Sequence, residues 1–286
     1  MNPELEAYVA RAQDPQLVPG IYNYCDHRCE RCPFTTRCLS FREEHALVRA
    51  EGECDLADHV EANVDDAAAL IHSWCERDGI DMEKVQDETN SEAVKSAQQR
   101  ADHAVDSDPL QIAAWQYSKE AYGIVEPLKN LSGFHTWPSG VGAAIDAIAW
   151  HSGMIPAKVC RALHGLSNQS RFSDKNRVQN DWNGSAKVAR LAIAESLAAW
   201  TTLFAAGETP PDASIRQTTR LLEGIDRDLE ERFPLAMDFV RPGFDEPDVA
   251  AGALATLAPF EPRRPKPWRR LRTWGSRVLG RLRSVR

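Results

Sequence analysis

Apolar side chains in this 286-residue chain recur at steps of three and four and almost never alternate with polar ones. In DLADHVEANVDDAAALIHSWCERDG, residues Leu56, Val60, Val64, Ala67, Ile71 and Trp74 share one helical stripe, and Asp55 and Asp58 suit the positive end of the helix dipole. Similar periodicity predicts a short helix over 3–12, opened by Asn2 and Pro3, a helix from 39 to 50 and a polar one over 81–102. It predicts another over 109–126 anchored by Ile112, Trp115, Tyr122 and Val125. Residues 141–152 are apolar nearly all round, which predicts a central helix, and Gly153 to Pro156 permit a kink before the chain continues as AKVCRALHG. An alanine-rich helix over 185–206 precedes a last one in which Asp212 is the cap and Ile215, Thr219, Leu222, Ile225, Leu229 and Phe233 form the stripe. The expected fold is all-α, a bundle of about six or seven helices with an irregular cysteine-rich metal-binding loop at its N-terminus. Three regions follow: 1–41 as the cysteine-rich segment packed on the bundle, 42–235 as the bundle, and 236–286 as a proline-containing linker and basic amphipathic tail.

The loop GIYNYCDHRCERCPFTTRCLSF concentrates four of seven cysteines as Cys25, Cys29, Cys32 and Cys38. A chain of this length buries a core without needing a staple, so the cluster calls for a local explanation. The acidic, amphipathic start MNPELEAYVARAQ does not read as a secretory signal, and no stretch approaches a membrane span, so the expected location is cytoplasmic. A reducing compartment favours thiolate ligation over disulfides. Spacing C-x3-C-x2-C-x5-C brings four soft ligands within reach of one centre. Two pairs joined by only two residues are cramped around a single zinc ion, whereas a cubane offers four iron corners, so a [4Fe-4S] cluster is the leading expectation and zinc the alternative. The functions implied are a redox enzyme or electron-transfer component, or else a zinc-stabilised interaction module without catalytic activity. Tyr22, Tyr24, Phe34 and Phe41 would shield such a centre from water or simply anchor the loop. His27 is a possible substitute ligand, and His45 a surface or outer neighbour. The span CDHRCERC also resembles the cluster motif of radical S-adenosylmethionine enzymes, which would imply an open iron and a strand–helix barrel. That match covers eight residues, with no strand–helix alternation after it.

Other polar residues invite weaker readings. Glu120, Asp146 and Glu195 are isolated carboxylates on core-forming helices, so they either converge as a catalytic or di-iron pocket or take part in ion pairs with Lys119, Lys158, Lys187 or Arg190. The paired E-x-x-H motifs of a di-iron bundle are missing. His59, His72, His103, His135 and His164 lack ligand spacing, and Cys54, Cys75 and Cys160 read as buried helical thiols. In SDKNRVQNDWNGS, residues Asp174, Lys175, Arg177, Asn180, Asp181 and Asn183 line a ligand mouth or form a solvated loop with Asp181 as a helix cap. No nucleophile elbow, phosphate loop, dinucleotide fingerprint or H-E-x-x-H motif occurs.

The formal net charge of -8 conceals a strong asymmetry. From Arg263 onward every charged side chain is Arg or Lys, while the preceding chain is strongly acidic. Within 262–286, Trp268, Leu271, Gly275, Val278, Leu279 and Leu282 follow one helical face and arginines fill the rest. This segment fits an acidic protein partner or an anionic membrane surface better than nucleic acid, placing the protein in the cytoplasm with the inner face of a membrane as a peripheral site.

Overall fold

A computed structural model describes residues 9–50, 68–69, 71–131, 137–168, 176–207 and 212–249. Among these every regular element is helical: α1 (Leu39–Ala50), α2 (Met82–Asn90), α3 (Glu92–Asp106), α4 (Pro109–Leu131), α5 (Val141–Ser167), α6 (Asp181–Ala205) and α7 (Asp212–Arg232). Helical turns also occupy 9–12 and 71–78, and four short 3-10 turns punctuate the loops, so the expected six or seven helices is too low a count. Part of the excess comes from Ser91. Its extended backbone ends α2, and its hydroxyl accepts from Val94 N at 3.4 Å to start α3, dividing the single helix expected over 81–102.

The core is a layered packing of α4, α5, α6 and α7 around α5, which lies against both α4 and α6. Helix α5 runs unbroken through Gly153 and Pro156, so no separate helix begins after the expected kink. Helix α6 brings small side chains to the contact, with Ala186, Ala189, Ala192 and Ser196 buried, which lets the α5 backbone approach closely. By length and composition α6 would pass for a membrane span, but Trp182, Ile193, Trp200 and Leu203 bury themselves against the bundle. The α7 stripe of Ile215, Leu222, Ile225, Leu229 and the following Phe233 is buried as its periodicity requires, with Thr218 rather than Thr219 completing it.

Helix α4 turns a different face inward from the one expected. Ile112, Trp115 and Tyr122 are exposed, Trp115 at 56%, whereas Leu110, Ala114, Tyr117, Ala121, Val125 and Leu128 form the buried stripe. The helix is apolar on two sides, and the side with smaller residues admits the closer neighbours. Ile71 and Trp74 are likewise exposed, while the rest of their expected stripe, Leu56 to Ala67, lies outside the described residues.

Candidate functional site

Residues 14–38 fold over α5 and the first half of α6 as three 3-10 turns, Ile21–Asn23, Cys29–Arg31 and Thr35–Arg37. Gly20 enters at φ 72°, and His27, at φ 53°, is the one non-glycine residue among the described residues with positive φ. Ile21, Val18 and Phe34 form a small core of their own, closed by Phe244, whose ring meets Phe34 edge-on at 5.0 Å. Tyr24 ties the loop to α6: its hydroxyl donates to Asp181 at 3.0 Å and its ring packs on Phe239 at 4.7 Å. Lys158 of α5 donates to the Asn23 carbonyl at 2.8 Å, and Trp150 Nε1 donates to the Asp26 carbonyl at 2.7 Å. Residues 236–249 brace the other side. Lys187 donates to the Met237 and Phe239 carbonyls at 3.1 and 2.6 Å and pairs with Asp245 at 2.7 Å.

The loop borders two spaces. Cys25, Cys29, Cys32 and Cys38 line a pocket with Ile21, Phe34, Phe41 and Phe244 around them. This pocket measures about 20 Å³, room for one water-sized group. All four thiols are free, and no group of three or more His, Cys, Asp or Glu among the described residues is placed to hold a metal ion. The expectation of a [4Fe-4S] cluster or zinc on Cys25, Cys29, Cys32 and Cys38 is therefore corrected, and the redox, electron-transfer and zinc-module functions built on it fall too. Close spacing along the loop showed that the thiols could reach one another but not that they would present themselves as ligands. Their electrostatics follow the burial. Cys29 is pushed up to about 12 by burial and then by the neighbouring thiols Cys25, Cys32 and Cys38. Burial also raises Cys25, against a backbone hydrogen bond from His27, and Cys32, against the Phe34 N–H at 3.4 Å.

A second, larger space lies beside this pocket and shares part of its lining. Asp26, Arg28 and Arg31 border a cleft of about 280 Å³ lined also by Met154, Val188, Leu191, Ala192, His151, Glu195 and Arg241. Asp26, Arg28, Cys32 and Phe244 border both spaces, whereas Arg31 borders only the larger one. Arg31 Nη2 bridges Asp26 at 2.6 Å and Glu195 at 3.2 Å. Burial would raise the Asp26 carboxyl, but the hydrogen bonds from Arg31 and from Arg28 N outweigh it, and the group is held below its usual range. His151, on α5, is only 1% exposed at its side chain, and its Nε2 lies 3.1 Å from Glu195 Oε2 on α6. A carboxylate only accepts, so Nε2 carries the proton and Nδ1 holds the lone pair. That Nδ1 is buried and has no hydrogen-bond partner among the described residues. Burial lowers the imidazole pKa more than Glu195 and Asp26 raise it, so the ring is neutral near pH 7.

The three carboxylates singled out in the sequence do not converge. Glu120 accepts from Gln116 and Gln217, Asp146 pairs with Lys129 at 3.6 Å, and only Glu195 enters the cleft, which removes the di-iron reading. Absence of any strand among the described residues removes the radical-enzyme barrel as well. The expected ligand mouth after α5 is a capping structure: Asn180 accepts from Asn183 N at 2.9 Å, and Asp181 binds Arg161 through two bonds of 2.9 and 2.6 Å. Asp174 and Lys175 lie outside the described residues, as do His59, His135 and Cys54, and the side chain of His45. His72 and His164 lie near Glu76 and Asp102, at 3.4 and 3.9 Å, and His103 is exposed. Cys75 and Cys160 are half-buried. His151 was missed. Its only signal was a lone ring in an otherwise apolar stretch, the same kind of signal that marked Glu195. No protein-family model, curated protein or solved structure matches the chain.

Proposed function

We propose that this protein binds a small, partly apolar molecule in the cleft between the cysteine loop and helices α5 and α6, and that His151 exchanges a proton with it. The observation that carries the reading is the His151–Glu195 pair: a nearly inaccessible neutral imidazole that borders the cleft, oriented through Nε2 by a carboxylate from another helix, and with a buried, unpartnered Nδ1 left to take a proton. A base held by an orienting carboxylate is the arrangement general acid–base chemistry uses, because the carboxylate fixes the tautomer and stabilises the imidazolium when a proton arrives. Apolar side chains below and charged ones above match the usual make-up of small-molecule sites.

Side-chain NMR of His151, assigned by its loss in His151→Gln, tests the reading. Glu195→Gln should lower the apparent pKa of His151, since the carboxylate raises it, and small ligands that enter the cleft should shift the His151 resonances. An unchanged titration in Glu195→Gln, with no small molecule perturbing the ring, would reject the pair as a proton-exchange device.

A second role concerns residues 262–286, which lie outside the described residues. From their sequence we propose a cytoplasmic protein whose basic, tryptophan- and leucine-bearing segment docks on an acidic protein or an anionic membrane surface, with nucleic acid the less favoured partner.

A further inference from the structure

We infer that the ligand of this cleft is an organic anion, a carboxylate or phosphate monoester on an apolar body, and that Arg28 holds its negative group; the inference deepens the cleft reading and rests on it. Three guanidinium groups border the cleft, and two already have their N–H groups engaged by carboxylates of the protein. Arg241 makes bonds of 2.9 to 3.2 Å to both oxygens of Asp245. Arg31 is shared between Asp26 and Glu195.

Arg28 differs from both. Its Nε donates to Glu30 at 2.9 Å, but Glu30 is 54% exposed at its side chain and faces water, where a carboxylate offsets little of a guanidinium's charge. Among the described residues neither Nη group of Arg28 makes a hydrogen bond, although the side chain is only 19% exposed. The guanidinium lies 5.9 Å from the centroid of the Trp150 ring, which limits how it can turn. Arg28 and His151 both line this cleft. A half-buried planar cation with its outer N–H fork unfilled is complementary to a carboxylate or phosphate, which can accept two parallel bonds. Met154, Val188 and Leu191 line the same cleft and would receive the apolar rest of the ligand.

The experiment uses the full chain and three probes of nearly equal shape: benzoate, phenyl phosphate and neutral benzamide. Binding is measured by calorimetry, and site occupancy by the His151 side-chain resonances. Benzoate or phenyl phosphate should bind at least tenfold more tightly than benzamide and shift His151. Arg28→Gln should abolish that preference while leaving benzamide binding unchanged, and Arg28→Lys, which keeps the charge but not the fork, should retain part of it. The ratio of benzoate to phenyl phosphate affinity separates the two anion types. Equal binding of benzamide and both anions, with His151 shifted, would overturn the anion inference and leave the cleft reading standing. Anion binding that survives Arg28→Gln would overturn the role of Arg28. If no probe shifts His151, the cleft reading itself fails and takes the inference with it.

Discussion

Gly184, in the first turns of α6, is where the cysteine loop and the 236–249 segment both press on the bundle. A Cβ built there would overlap the Tyr24 ring at Cε1 and Cδ1 and the Phe239 ring at Cζ. Neither ring is free to swing away: Tyr24 is held by its hydroxyl on Asp181, and Phe239 is packed against Tyr24 and anchored through its carbonyl to Lys187. Gly184→Ala therefore sets two effects against each other. Helix propensity favours alanine by about 1 kcal/mol. Overpacking costs about 1–3 kcal/mol, and overlap with two tethered rings puts this site near the upper figure. The net expectation is a loss of about 2 kcal/mol, or a melting temperature lower by about 4–8 °C if the described helices melt together. Gly123→Ala in α4 is the matched control, because its Cβ would meet nothing within 4 Å; there the propensity gain stands alone and stability should rise by up to about 1 kcal/mol. Urea denaturation followed by circular dichroism reads both variants. If Gly184→Ala proves as stabilising as Gly123→Ala, the loop does not seat on α6 as described, and the cleft geometry derived from it is wrong.

Asp245 is held at about 2: burial would raise it, but Arg241 and Lys187 overcome that effect, so its folded-state pKa lies below the unfolded value near 3.9. Its contribution is full above pH 4 and is lost as pH falls from about 4 to 2, so Asp245→Asn should be less stable at pH 7 and flatten that part of the acid-denaturation profile. Cys29, at about 12, should react with iodoacetamide at pH 8 about 10³-fold more slowly than a free cysteine, as followed by mass spectrometry of peptides, and denaturation should erase the difference. Deleting residues 262–286 should abolish salt-sensitive binding to vesicles containing phosphatidylserine; undiminished binding would remove the membrane surface as a partner.

Legibility from sequence followed the uniqueness of each pattern. Helix α7 has a single apolar stripe between charged faces, so its buried side could be read directly. Helix α4 has two, and the larger residues Ile112, Trp115 and Tyr122 pointed to the wrong one, because burial was decided by the small side chains Ala114 and Ala121 that let neighbouring helices approach. In the loop, the cysteines drew attention to their own spacing while the residues between them, Asp26, Arg28 and Arg31, also border the larger cleft. No periodicity records that role, since the loop is built from 3-10 turns. The His151–Glu195 pair joins two helices 44 residues apart in sequence, and only the α5–α6 packing brings them together. Each residue alone looked like an isolated polar group in a core helix.

The bond from Arg31 to Glu195 spans 164 residues, and the Phe34 ring awaits a partner at position 244. Closing loops of that length costs entropy that only the finished contacts can offset, so such contacts form late. On the ribosome the first forty residues must emerge, and nearly the whole bundle must follow, before the segment that covers them exists. The four cysteines, half-buried in the finished fold, are thus more open still while the chain is being made, before Phe244 joins the lining of their pocket.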